Sequence, residues 1–416
     1  MVREVFTERL DFRQIAKSRT RALAVAAVLT VVCAVTLSRG FADQIARDIF
    51  FSLTLAGCAI VFLSVRPWRE FAQALAAGLF LVALQVLVLK TPLKVLPALA
   101  LIGLGSLALL AVRIWFSDQD RQLLRDATVP PLLFILLGFV GSGPLQLTAR
   151  LQPKTWDLFL YSFDQSLGVQ LSFKVGQIVL SSRLLTRAVL GMYYVLPFFI
   201  MYTYARQLVR NRSLAMAAFL AFVIAGPLGV VFYNIVPGGG PRNLFGSSYP
   251  FHPLTVEQLR QLPIQPLTIG GPRNAFPSLH LGWALLACWY AQGLSRWSKL
   301  AFFFFFVGTV ISTLGVGEHY FIDLITAFPF ALMIHAACVP NSSISDARRV
   351  VPLLAGTAMM VSWIVLLRWG LALVWINPLV PWLLSAATIA VTVVLQLPLR
   401  PLLAGSPGSA RPVGEA

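Results

Sequence analysis

Residues 315–338 read GVGEHYFIDLITAFPFALMIHAAC: a glycine-rich polar start, then an apolar run long enough to enter a bilayer. A helix needs about 20 apolar residues to cross some 30 Å of hydrocarbon. The carboxylate of Asp323 falls just inside the edge of this run. An acid there is costly to bury and is a functional candidate whose partner must be named. His319 stands four residues earlier, so on a helix the two side chains occupy neighbouring turns of one face. A carboxylate that accepts from one ring nitrogen fixes the imidazole tautomer and leaves the other nitrogen as a nucleophile.

Outward from this stretch the same apolar character repeats. Of 416 residues 58% are hydrophobic and 12% charged, with a mean hydropathy of +0.78. Soluble domains carry about 25% charged residues, so a soluble protein is excluded. The pattern predicts an all-α polytopic membrane protein of about twelve spans. These are 21–38, 48–65, 71–89, 95–112, 128–147, 187–205, 213–235, 278–294, 299–316, 321–339, 351–367 and 375–398. The first follows a polar segment without a clean small-residue cleavage site and reads as an uncleaved anchor.

The formal net charge is +17, with 33 Lys and Arg against 16 Asp and Glu. With both termini cytoplasmic, the larger share of the cations falls on inner segments such as RPWRE, RQLVRNR and SRWSK, following the positive-inside rule. There is no basic-aromatic patch for a nucleic-acid partner. The four cysteines, Cys33, Cys58, Cys288 and Cys338, fall in predicted spans without metal-type spacing and read as packing residues. The GSPGSARPVGEA tail, 405–416, has a disordered composition.

This topology places two polar intervals outside. In 149–175, Asp157 and Asp164 lie seven apart, on one face of a helix. That segment reads as an interfacial helix offering Trp156, Phe159, Leu160 and Phe163 to lipid. The second interval, 236–277, is longer and rich in Gly and Pro, and loops of that length are more often functional than connective. It contains GGPRN twice, at 239–243 and 270–274.

The second copy runs into AFPSLH. Pro277 and Ser278 fall where a helix would begin, and proline suits a first helical turn. Ser278 and the open amides of that turn would form a seat for phosphate at the positive end of the helix dipole. His280 then shares the outer membrane face with His319. His252 and His335 read as loop and packing residues.

Pro277-Ser278-Leu279-His280 and His319-Tyr320-Phe321-Ile322-Asp323 resemble the second and third motifs of the type 2 phosphatidic acid phosphatase superfamily. AFPSLHLGWA with HYFIDL is most similar to its inositol phosphorylceramide synthase branch, the aureobasidin-target inositolphosphotransferases, and to bacterial relatives of that branch. The resemblance covers 128–339 and implies a six-helix catalytic core there. Residues 1–127 then form a tail with four accessory helices, and 340–416 two more helices and a tail.

The resemblance implies that His319 takes the phosphoryl group, Asp323 orients it, His280 protonates the leaving group and Ser278 holds phosphate oxygens. It implies a lipid phosphate substrate, water or an alcohol as acceptor, a phosphohistidine intermediate and no cofactor or metal. Hydrolysis and transfer stay open, and the alternatives are a twelve-span transporter or a non-catalytic lipid-binding protein. The commoner phosphatases of that superfamily carry Ser-Arg seven and six residues before the nucleophile. Here Ser312 and Thr313 stand there, and the motif of a lysine followed by Arg-Pro is missing. The repeated turns supply the expected substitutes: Arg242 and Arg273 are the outer arginines placed to bind phosphate, with Arg260 less distinctive. Their glycines permit close backbone approach and their prolines fix the direction of entry.

Overall fold

The computed structural model describes residues 2–340 and 342–404, and among them the regular structure is helical apart from two two-residue strands. The disordered tail expected at 405–416 lies outside the described residues. Nine helices are long and apolar enough to cross a membrane, or eleven when two bent pairs each count as one span. The chain is therefore an integral multi-pass membrane protein. It divides into two compact units, Met1–Gly138 and Phe139–Ala416.

In the first unit α1 (Val2–Thr36) is followed by α2 (Arg39–Arg47) and α3 (Ile49–Val65), which meet at 97°. The break falls at Asp48, whose carboxylate accepts the Phe51 amide and caps α3. Then come α4 (Phe71–Leu89), α5 (Val95–Arg113) and the start of α6 (Arg121–Leu151). Here α3 and α4 pack on α5, where a Cβ on Gly78 would strike Ile102 and one on Gly105 would strike Gly78. Small residues let helix backbones approach closely where lipid gives no hydrophobic drive. Cys58 is buried in this core beside Leu55 and Leu101.

The second unit continues α6 and adds α7 (Asp157–Ser166), α8 (Leu171–Leu180), α9 (Arg183–Tyr194), α10 (Leu196–Arg210) and α11 (Arg212–Ile235). The span expected at 187–205 is the bent pair α9–α10, broken by 42° at Val195, just ahead of Pro197. Proline tolerates a first turn and not a helix interior. The loop that follows contains α12 (Pro241–Phe245) and α13 (Val256–Gln261). A short antiparallel ribbon of β1 (Lys154–Thr155) and β2 (Leu267–Thr268) fastens this loop to the segment ahead of α7.

The last elements are α14 (Leu279–Tyr290), α15 (Arg296–Gly315), α16 (Phe321–Cys338), α17 (Ala347–Trp369), α18 (Leu371–Val374) and α19 (Leu379–Gln396). The stretch quoted at the outset forms the axis of the unit. Of the α16 window 78% is buried, against 44% or less for every other candidate span, because α11, α14, α17 and α19 all pack on it. One expected span needs correction. Residues 278–294 give a helix of only 12 residues, about 18 Å long at 1.5 Å per residue and too short to cross unaided.

Candidate active site

The interfacial reading of α7 is overturned by its burial. Leu160 and Phe163 are fully buried, and so are both acids, Asp157 and Asp164. The seven-residue spacing does put the carboxylates on one face, but that face is turned into the protein. The Asp157 carboxylate accepts the Gly239 and Gly240 amides at 2.9 Å each and the Tyr320 hydroxyl at 2.9 Å. Asp164 accepts the amides of Phe321 at 2.7 Å and Ile322 at 3.1 Å. Burial pushes both carboxyls above the ordinary aspartate range, and these donors offset part of that cost.

The start of α16 is thereby fully engaged. A helix leaves its first amides without partners. Asp164 takes two of them, and Asp323 accepts the Tyr320 amide at 2.8 Å. Negative charge at a helix N-terminus also favours the helix dipole. This arrangement holds His319 rigidly at the entry to α16.

His319 is 2% exposed. Its Nδ1 lies 2.9 Å from the Ala275 carbonyl oxygen and 3.6 Å from Asp323 Oδ2. The Ala275 carbonyl holds the shorter contact, and the Asp323 carboxylate expected as the partner stands behind it. Both acceptors require the proton on Nδ1, so Nε2 is left with its lone pair. His280 stacks on the Tyr193 ring, with centroids 4.0 Å apart and planes at 22°. The His280 and His319 ring centroids are 6.5 Å apart.

Ser278 is the N-cap of α14, accepting from the Leu281 amide, and its own amide donates to the Asp323 carbonyl at 3.0 Å. Pro277 thus precedes the cap instead of opening the first turn as expected. The two histidine motifs are joined directly through this bond. Ser278 is fully buried. Ser312 and Thr313 bond back to the Thr309 carbonyl within α15.

The two GGPRN turns meet over the residues just before His319, with Gly271 of the second packed on the Asn243 side chain of the first. In the first, Gly240 has φ +87 and lies against the Glu318 carbonyl with no room for a Cβ, while the Arg242 amide donates to Gly317 O at 2.9 Å. In the second, the Asn274 side chain reaches Glu318 at 3.5 Å. The arginines have opposite fates. Arg273 is 2% exposed, and its guanidinium donates to the carbonyls of Gln152 (2.8 Å), Gly271 (2.7 Å), Pro153 (3.1 Å) and Ile269 (3.1 Å). Four of its five N–H donors are spent on backbone, so its expected place as a phosphate ligand gives way to that of a clamp. The Arg242 side chain is exposed. Arg260 lies over the Trp375 ring, centroid distance 5.9 Å, away from the histidines.

Four participants have roles that the sequence reading missed. The Ala275 carbonyl and Tyr193 are invisible without tertiary contacts. Asp157 and Asp164 did leave a signal: two acids on one face of an otherwise apolar helix demand donors, and the glycine-rich turns are where unpaired amides are found.

Residues 158–337 match the family model described as PAP2 superfamily. No curated protein and no solved structure matches the chain.

Proposed function

We propose that the segment matching the PAP2 superfamily is a lipid phosphatase or phosphotransferase that works through a phosphohistidine on His319, on the non-cytoplasmic membrane face. The observation that carries this reading is the pair of facing imidazoles, one with its Nδ1 proton committed to Ala275 and Asp323. His319 Nε2 attacks phosphorus, and the bond from phosphorus to the lipid oxygen breaks. His280, protonated once the anionic phosphate lies beside it, gives its proton to that oxygen. It then takes a proton from water or an alcohol, whose oxygen attacks phosphorus and releases His319. Arg242 supplies the guanidinium for the phosphate oxygens, and Ser278 shapes the seat as the cap of α14. The inositolphosphotransferase branch is the finer reading, and it rests on AFPSLHLGWA with HYFIDL.

The purified protein, incubated with a panel of labelled lipid phosphates and then quenched in alkali, should yield labelled phosphohistidine. His319→Ala should lose the label and at least about a thousandfold in turnover. Label retained in that variant would remove His319 as the nucleophile. Free phosphate against phosphorylated alcohol in the same digests separates hydrolysis from transfer.

A further inference from the structure

Glu318 is an acid where a phosphate site least wants one. It directly precedes His319 and is half-buried, and Gly240 of the first turn packs against its carbonyl. Among the described residues the one hydrogen bond to its carboxylate comes from the neutral Asn274 amide, at the long distance of 3.5 Å. Its charge acts on Tyr193, the ring stacked on His280. Arg242 stands close by, since its amide bonds Gly317 and both charges act on the Tyr249 hydroxyl. Yet no ion pair joins Arg242 and Glu318 among the described residues.

An opposite pair held near one catalytic centre without neutralising itself is complementary to a ligand that carries both charges. A carboxylate beside a phosphate repels it unless a cation lies between them. A hydroxyl would give Glu318 a single hydrogen bond, whereas an ammonium adds charge to the bond and removes the repulsion. Resting on the phosphoryl-transfer reading above, and departing from its inositol-lipid refinement, we propose that Glu318 selects the substrate: a phosphodiester lipid with an amine-bearing, zwitterionic head group. Its phosphate lies between His319, His280 and Arg242, and its ammonium lies on Glu318. Glu318 makes no covalent contact and moves no proton in this scheme.

The test separates selection from chemistry. Short-chain phosphatidylethanolamine and phosphatidylglycerol are titrated into the full-length protein in detergent, in wild type, Glu318→Gln and Glu318→Asp. Wild type should bind the amine lipid about tenfold more tightly, a difference of about 1.4 kcal/mol. Glu318→Gln should bring that ratio near one, and Glu318→Asp should keep part of it. Equal binding in wild type, or a ratio unmoved by Glu318→Gln, overturns the proposal. The same lipids, labelled at phosphorus, are assayed for the His319 adduct, in which a phosphodiester leaves its head group on the phosphoryl. Label formed equally from both lipids sinks the role of Glu318 and leaves the catalytic reading standing. Selective binding without label does the reverse.

Discussion

Arg242 and Arg273 occupy the same place in two copies of one pentapeptide, and the fold uses them differently. The Arg273 guanidinium is buried against four carbonyls that no carboxylate shares. Hydrogen bonds to charged groups contribute about 1.5–3 kcal/mol each, and a truncated partner leaves buried acceptors unpaired. Arg273→Gln should therefore lower stability by about 3 kcal/mol, read as a fall in the thermal unfolding midpoint in detergent. Arg242→Gln should leave that midpoint nearly unchanged, within about 0.5 kcal/mol, and lower kcat/KM at least about tenfold. The opposite pattern would exchange clamp and ligand. Nothing in the pentapeptide distinguishes the two. The difference lies in what surrounds each: the β1–β2 ribbon brings Gln152 and Pro153 onto Arg273, while Arg242 sits on a five-residue helix facing outward.

At the scale of elements, α7 is the strut. It is ten residues long and shows the apolar-with-two-acids pattern of a surface helix, yet it braces α16 from the side. Asp164→Asn keeps the size of the side chain but replaces one acceptor with a donor facing an amide. About 1.5–3 kcal/mol of stability should be lost, with the unfolding midpoint as the measure and hydrogen exchange at Phe321 and Ile322 as the local readout. If those two amides exchange no faster in the variant, α7 does not hold the start of α16. The amphipathic pattern told where the acids point relative to each other. It was silent on whether that face met water or protein, because a buried carboxylate with enough donors and a solvated one have the same periodicity.

For the whole molecule, α16 fixes which end of the second unit carries the histidine pair. His319 opens it, and residues 342–346 follow its far end, about 27 Å away for 18 residues. His252 and Ser345 are exposed in loops at these two ends. If the histidines face away from the cytoplasm, His252→Cys should react with a membrane-impermeant maleimide in intact cells. Ser345→Cys should react only after permeabilisation. The reverse labelling would turn the site to the cytoplasm. The helices after residue 340 also pack on α16, so they belong to the same packed unit as the histidines.

Composition alone settled that the chain is a helical, multi-pass membrane protein, since long apolar runs are stable across a bilayer only when each backbone bonds within itself. The spacing of His319 to Asp323, and of Pro277 to His280, marked the two histidines, because helical periodicity is local and survives without tertiary context. The tertiary structure decided the rest. It gave the His319 proton to a carbonyl 44 residues away, turned both α7 acids inward, and spent one arginine of a repeated pair on the scaffold. Each of these depends on contacts between distant segments, where the energy of a buried charge is set by what packs around it and not by the sequence beside it.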